Sequence, residues 1–108
     1  MDLTTEQKAT MLAELRNELS ITWTDAELDA KLSGFIARGM TYLDDKTCYE
    51  QNYVVEGEAK SLLFDYARYA RVGALKRFWE DYHHEILSLK AAGDMAAYED
   101  SLLVDGGV

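Results

Sequence analysis

The complete absence of proline from 108 residues is the feature that most constrains this fold. Proline is the commonest helix breaker, because it lacks a backbone N–H and clashes with the preceding turn. Without it, glycines and capping residues are left to mark where elements end. A hydrophobic fraction of 48% is ample to fill one modest core. We therefore expect an all-α fold, a small helical bundle formed as a single domain over residues 1–108.

Two capping boxes mark the starts of the first two helices. Thr4 and Gln7 have the required spacing, and apolar residues at helical intervals then predict a helix over about residues 5–19. Thr24 and Glu27 repeat the pattern and predict a second helix over about residues 25–43. An amphipathic stripe runs along this second helix and stops near Asp44.

The remaining chain divides into a loop and further helices. Residues 44–57 lose the helical period and predict a structured loop, whose contacts we expect Tyr49 and Tyr53 to make. One long helix is predicted over about residues 56–92, followed at Gly93 by a break. The C-terminal elements are then a short helix over about residues 94–103 and a frayed tail at 104–108.

The apolar face of the predicted long helix changes sides near Gly73. A straight helix would bury these two faces against different partners, whereas a helix kinked at Gly73 could wrap one core. In a chain this small, part of the cover for the second stripe is expected from another subunit. The candidate interface combines this stripe with two neighbouring arginines and consists of Arg68, Arg71, Leu75, Phe78, Trp79, Tyr82 and Ile86.

The adjacent His83 and His84 invite a metal or acid–base interpretation. Glu80 and His83, three residues apart, form half of the carboxylate–histidine motif of di-iron bundles. A complete centre needs a second such motif, but the chain has only two histidines, about 100° apart around the helix. No nucleophile or nucleotide-binding motif is present either. The sequence therefore predicts a solvated polar face, with no enzymatic activity, metal or cofactor.

Charge is segregated along the chain. The formal net charge is −9, yet residues 60–77 carry five basic residues against one acid. Such a band could touch nucleic acid, although its arginines more often pair with acids of a neighbouring helix or subunit. Opposite-charge bands also suit head-to-tail contacts between identical copies.

The cellular setting is indicated by three absences. The single cysteine, Cys48, excludes an internal disulfide and fits a reducing compartment. No apolar run approaches the length of a membrane span, and the start MDLTTEQKAT lacks the order of a secretory signal. We expect a soluble, intracellular protein without a membrane partner.

Two segments together resemble a known family. ITWTDAELDAKLSGFIARGMTYLDDKT and EGEAKSLLFDYARYARVGALKRFWEDYHHEILSL resemble the head-to-tail connector (adaptor) proteins of long-tailed double-stranded-DNA phages and prophages. The resemblance lies in an acidic capped helix ending in Y-L-D, a loop, and a long helix with L-L-F-D-Y-A-R-Y-A-R and an acidic, aromatic second half.

The resemblance implies an all-α subunit of an oligomeric ring, commonly twelvefold, docked beneath the portal protein. Such a ring extends the channel through which double-stranded DNA passes and seats the next neck or tail protein. It implies a structural protein of the virion neck, present in the host cytoplasm during assembly, with no enzymatic activity and no cofactor. The alternative from another class is a small acidic helical protein-binding module, for instance a regulator that mimics nucleic acid.

Overall fold

A computed structural model describes residues 1–106, with side chains described through residue 103, and it is all-α in that range. Its four helices are α1 (Thr5–Glu18), α2 (Ala26–Thr47), α3 (Glu58–Arg71) and α4 (Leu75–Gly106). Helix α2 packs against each of the other three, and α3 also packs against α4. The predicted fold class is confirmed, while several predicted helix boundaries are not.

Helix α1 follows its sequence signals closely. The hydroxyl of Thr4 accepts a hydrogen bond from the Gln7 N–H at 3.0 Å, and the Gln7 side chain accepts one from the Thr4 N–H at 2.9 Å. The predicted capping box is therefore confirmed. At the other end, the N–H groups of Ser20 and Ile21 donate back to the last turn, which closes the helix in a Schellman arrangement.

Helix α2 starts one residue later than its capping box predicts and ends later than residue 43. Asp25, not Thr24, is its N-cap, and the Asp25 carboxylate accepts from the Glu27 N–H at 2.9 Å. Aspartate is among the strongest N-cap residues, so it displaces the neighbouring threonine. The helix then continues to Thr47, whose hydroxyl donates to the Leu43 carbonyl at 2.7 Å, and the connector is confined to residues 48–57.

The predicted long helix over residues 56–92 is wrong, because the chain turns at Gly73. This residue has a φ of +71°, a left-handed conformation that glycine adopts without steric strain. The N–H of Gly73 donates to the Ala70 carbonyl at 3.2 Å, and the N–H of Ala74 donates to the Tyr69 carbonyl at 2.8 Å. These two bonds form a Schellman cap that ends α3. The apolar face changes sides at this turn, and both halves pack against one core.

The predicted break at Gly93 is also wrong, because α4 runs unbroken through it. The separate short helix expected over residues 94–103 is instead the continuation of α4. A Cβ on Gly93 would overlap the ring of Tyr49, so glycine here accommodates an aromatic side chain of the connector. Of the tail predicted at 104–108, residues 104–106 extend α4, while residues 107 and 108 lie outside the described part.

The core draws on all four helices. Leu15 of α1, Leu32 of α2, Leu63 of α3 and Ile86 of α4 are each fully buried in the same apolar cluster. At Gly39 of α2, a Cβ would approach Leu63 to 2.7 Å, so glycine permits close packing of α2 on α3. Each helix is thereby held to the bundle through its apolar face.

The molecule is elongated, with principal extents of 59 × 32 × 17 Å. The 32 residues of α4 span about 48 Å at the helical rise, so this helix accounts for most of the length. Its last part extends beyond the bundle with its large apolar side chains exposed. None of the helices in the described part has the combination of length and apolarity needed to cross a bilayer.

Candidate functional site

Phe78 lies at the centre of an aromatic cluster that joins α2, α3 and α4. Its ring centroid is 5.8 Å from that of Tyr42, 5.4 Å from Tyr66, 5.5 Å from Tyr69 and 4.9 Å from Tyr82. Three of the four pairs are edge-to-face, the geometry favoured by the aromatic quadrupole. With only 1% of its surface exposed, Phe78 stabilises the fold of its own chain.

The predicted second stripe is therefore covered mainly from within the chain. Ile86 is fully buried and Tyr82 is half-buried, because the turn at Gly73 folds α4 back onto α3 and α2. Leu75 and Trp79, each 38% exposed, lie at the edge of the covered face. Of the apolar residues in the predicted interface, Leu75 and Trp79 are exposed and Tyr82 is partly exposed. Phe78 and Ile86 are buried and are not available to a partner.

The basic band is likewise only partly available. The ammonium of Lys60 is buried between the carboxylates of Glu14 and Glu56, which raise its pKa. Arg68 is exposed but pairs with Asp65 at 2.5 Å, and its guanidinium lies 3.4 Å from the Tyr82 hydroxyl. Burial raises the pKa of the Asp65 carboxyl, and Arg68 opposes this effect. These two cations are therefore paired with acids of their own chain.

The other three cations of the band surround the turn between α3 and α4. Arg71, Lys76 and Arg77 are exposed, and none of them forms an ion pair with an acid of the described part of the chain. Apolar side chains lie among them, since Val72 is 71% exposed and Leu75 follows at the start of α4. We call residues 71–79 the α3–α4 corner. This stretch carries both exposed cations and exposed apolar side chains.

The imidazole rings of His83 and His84 lie side by side, with their centroids 4.2 Å apart. His83 Nδ1 donates to the carbonyl oxygens of Trp79 and Glu80 at 3.1 Å, and the His83 ring lies against Trp79 at 5.6 Å. His84 is exposed, and Asp81 accepts a hydrogen bond from the Tyr69 hydroxyl at 2.6 Å. Among the described residues, no three His, Cys, Asp or Glu side chains are grouped so that they could hold a metal ion.

Tyr53 anchors the connector to α2. It is fully buried, and its hydroxyl donates to the Asp44 carboxylate at 2.7 Å. Burial, followed by this bond, raises the Tyr53 pKa well above its ordinary value. The same Asp44 oxygen accepts from the Gln51 N–H at 3.0 Å, so one helical carboxylate organises the loop. The contacts of Tyr53 are therefore made within its own chain.

Tyr49 connects the loop to the far part of α4. Its ring packs against Gly93, and its hydroxyl donates to the Asp94 carboxylate at 2.6 Å. Lys90 binds the other oxygen of Asp94 at 2.9 Å, and these two donors lower the Asp94 pKa. This clamp fixes one side of α4 just beyond the bundle.

The opposite side of this part of α4 carries an uncovered apolar stripe, which sequence reasoning missed. We call residues 87–103 the tail segment. Its stripe has successive spacings of four, four, three and four residues, which place the side chains on one helix face. All members are exposed, and they are Leu87, Ala91, Met95, Tyr98 and Leu102. This spacing was visible in the sequence, but the expected break at Gly93 divided the stripe between two elements.

The tail stripe faces away from the core. At 100° per residue it is centred about 180° from the direction of Phe78, Tyr82, Ile86 and Gly93, which face the bundle and Tyr49. The tail segment also contains Asp94, Glu99 and Asp100, with no lysine or arginine beyond Lys90. Of these acids, Asp94 is paired with Lys90, and Asp100 lies on the Tyr49 side of the helix, about 180° from the centre of the stripe.

No family model, no curated protein and no solved structure matches this chain.

Proposed function

We propose that this protein is a structural component of a phage neck, a head-to-tail connector. In this proposal identical copies form an oligomeric ring that joins the portal protein to the tail and extends the DNA channel. The ring is commonly twelvefold in the family that the sequence resembles. The protein acts by assembly and carries out no reaction, so it needs no cofactor.

The observation that carries the proposal is the uncovered apolar stripe on the tail segment. Leu87, Met95, Tyr98 and Leu102 are all substantially exposed on a helix that extends beyond the bundle. A continuous exposed apolar face on a soluble domain is typical of a surface that binds another protein. The Tyr49–Asp94 bond holds this helix in position, so the stripe is presented on a defined element.

Charge supports the same proposal. The net charge of −9 disfavours lasting attachment to the phosphate backbone of DNA, which suits the wall of a channel that DNA must pass through. Of the five basic residues in residues 60–77, two are not free to hold DNA. Lys60 is buried between two carboxylates, and Arg68 is paired with Asp65. The other three cations of residues 60–77 are Arg71, Lys76 and Arg77 at the α3–α4 corner.

The test combines the purified chain with the portal protein encoded by the same phage or prophage. Native mass spectrometry and negative-stain electron microscopy should detect a ring bound to the portal oligomer. In the proposal, this ring assembles in the host cytoplasm and lies in the virion neck. A chain that stays monomeric and unbound with portal present would overturn the proposal.

The net charge also favours a second candidate, an acidic regulator that occupies a basic nucleic-acid-binding protein by charge mimicry. Such a regulator binds its target in a fixed small ratio and does not form rings. The same mass measurement separates the two functions, because only a connector forms a cyclic oligomer on the portal.

A further inference from the structure

Gly93 and Asp94 carry the local signals of a helix boundary, yet α4 runs through both. Glycine is strongly enriched just past the end of a helix, and aspartate is among the strongest residues at the start of one. Inside a helix, glycine is less favourable than any other residue except proline. A conflict between local preference and the observed fold is typical of functional or strained positions.

The clamp of Tyr49, Lys90 and Asp94 overrides these local signals. The Tyr49 ring occupies the space that a Cβ at residue 93 would need. Its hydroxyl donates to one oxygen of Asp94 at 2.6 Å, and the Lys90 ammonium binds the other at 2.9 Å. A capping carboxylate would instead accept from backbone N–H groups two or three residues ahead. The clamp therefore engages both residues that would otherwise form the break.

The bundle holds the clamp in place. The side-chain amide of Gln51 donates to the Tyr49 carbonyl at 3.3 Å, and the hydroxyl of Thr47 lies 3.0 Å from the same oxygen. Thr47 is fully buried at the end of α2. The position of the Tyr49 ring is therefore fixed relative to α2, and through this ring the connector sets the direction of α4 beyond Gly93.

Little else restrains this part of α4. An open groove of about 460 Å³ lies between the connector and the helix, and its helix side consists largely of short side chains such as Ala96 and Ala97. Met95 and Tyr98 are exposed on the outer face. Among the described side chains, the clamp is therefore the main restraint on α4 beyond the bundle.

We propose that Gly93 is a latent hinge and that the clamp locks it. With Tyr49 in place, α4 is one continuous helix. With Tyr49 withdrawn, Gly93 can end the first helix and Asp94 can cap a second one, so the segment beyond them changes direction as a unit. The four-helix bundle is the same in both states.

This device couples the connector to the tail stripe. A molecule that binds the connector and withdraws Tyr49 would redirect the stripe without touching it. Such a switch needs two states of similar free energy. The opposing preferences at Gly93 supply them, because local sequence favours a break and one aromatic contact favours a continuous helix. The inference is independent of a role in a phage neck, since it concerns a single chain.

The distance between two spin labels on α4 tests the hinge. Labels at Arg77→Cys and Glu99→Cys, in a Cys48→Ser background, occupy exposed positions on nearly the same helix face, about 33 Å apart along a straight helix. Pulsed electron paramagnetic resonance should give one narrow distance distribution for this chain. Adding Tyr49→Ala should shift the distribution to shorter distances and widen it at least about twofold, because a bent helix brings its ends together.

Matched substitutions identify the hinge residue. In the Tyr49→Ala chain, Gly93→Ala should restore the narrow distribution, because alanine favours a continuous helix. Gly34→Ala makes the same change inside α2 and should leave the distribution broad. Tyr98→Ala with Tyr49 intact removes an exposed ring from the same part of α4 and should leave the distribution narrow.

Three results would overturn the proposal. A narrow distribution in Tyr49→Ala would show that α4 is continuous without the clamp. A broad distribution that Gly93→Ala does not narrow would place the bend elsewhere. A change in a second distance within the bundle, between labels at Lys31→Cys and Arg77→Cys, would show that Tyr49→Ala disturbs the whole fold. We expect this second distance to be the same in every variant.

Discussion

The bundle part of α4, residues 75–89, and its outer part, residues 90–106, belong to one helix but have different surroundings. In the bundle part, Phe78 and Ile86 are buried against α2 and α3. In the outer part, Met95, Tyr98 and Leu102 are all exposed, and the described side chains meet the rest of the chain mainly through Tyr49. The first part derives its stability from packing, whereas the second depends on helix propensity and one clamp.

This difference teaches that burial, and not amphipathic pattern alone, separates a structural face from an exposed one. Both parts carry apolar stripes at helical spacing, and both include aromatic residues. The turn at Gly73 brings a covering surface to the first stripe, while no element of the described chain covers the second. Substitutions in the two parts should therefore affect different measurements.

The largest expected effect is on the bundle side, at Phe78. Replacing Phe78 with alanine removes a buried ring that contacts four tyrosines, and it should lower the free energy of unfolding by about 3 to 5 kcal/mol. Tyr98→Ala in the outer part should change it by less than about 0.5 kcal/mol, because Tyr98 is exposed. Urea unfolding of the two variants measures both values. Similar losses would mean that the outer part is packed as the bundle is.

The next effect concerns the turn that separates α3 from α4. Gly73→Ala places a Cβ on a left-handed residue with no neighbour within 4 Å, so backbone strain alone should lower stability by about 1 to 2 kcal/mol. Gly34→Ala provides the control, because Gly34 is helical and alanine there should raise stability by up to about 1 kcal/mol. Thermal melts should show opposite shifts. A neutral Gly73→Ala would show that this turn does not need a left-handed residue.

A smaller effect tests the clamp on the outer part. Gly93→Ala should destabilise the wild-type chain, because the new Cβ would overlap the Tyr49 ring. In a Tyr49→Ala background the same substitution should stabilise the helix by about 1 kcal/mol, since alanine is the better helix former. This change of sign is the result to measure by urea unfolding. If Gly93→Ala has the same sign in both backgrounds, the ring does not determine the choice of glycine.

The smallest effect is a pH dependence at the aromatic cluster. The hydrogen bond to Asp81 raises the pKa of Tyr69 from 10.0 to about 12. The folded state thus holds this proton more tightly than the unfolded state, so the contribution is complete below pH 10 and is lost as the pH rises towards 12. The difference in melting temperature between wild type and Tyr69→Phe should shrink across this range. A constant difference would show that the bond does not couple to folding.

Much of the fold could be predicted from local signals. The capping box at Thr4 and the apolar periods identified α1 and α2, and the change of apolar side marked Gly73 as a place to bend. These signals span three or four residues, so they can be recognised in the sequence alone. The end of α2 was misplaced because Asp44 keeps helical geometry while its carboxylate binds Tyr53 of the connector.

The two glycines of the C-terminal half show what local signals could not resolve. Both lie in sequence of helical composition, yet Gly73 ends a helix and Gly93 does not. The difference at Gly93 comes from Tyr49, a contact across 44 residues that no local pattern encodes. The candidate interface follows from the stripe after Gly73, in which Phe78 and Ile86 are buried, and the expected break at Gly93 hides the continuity of the tail stripe.

The exposure of Cys48 has a practical consequence. It is the chain's single thiol, it lies at the end of α2 with a φ of +64°, and it is the sequence neighbour of Tyr49. A maleimide dye attached there needs no background mutation to be site-specific. Its fluorescence anisotropy would report, in real time, whether the helix beyond the bundle stays clamped.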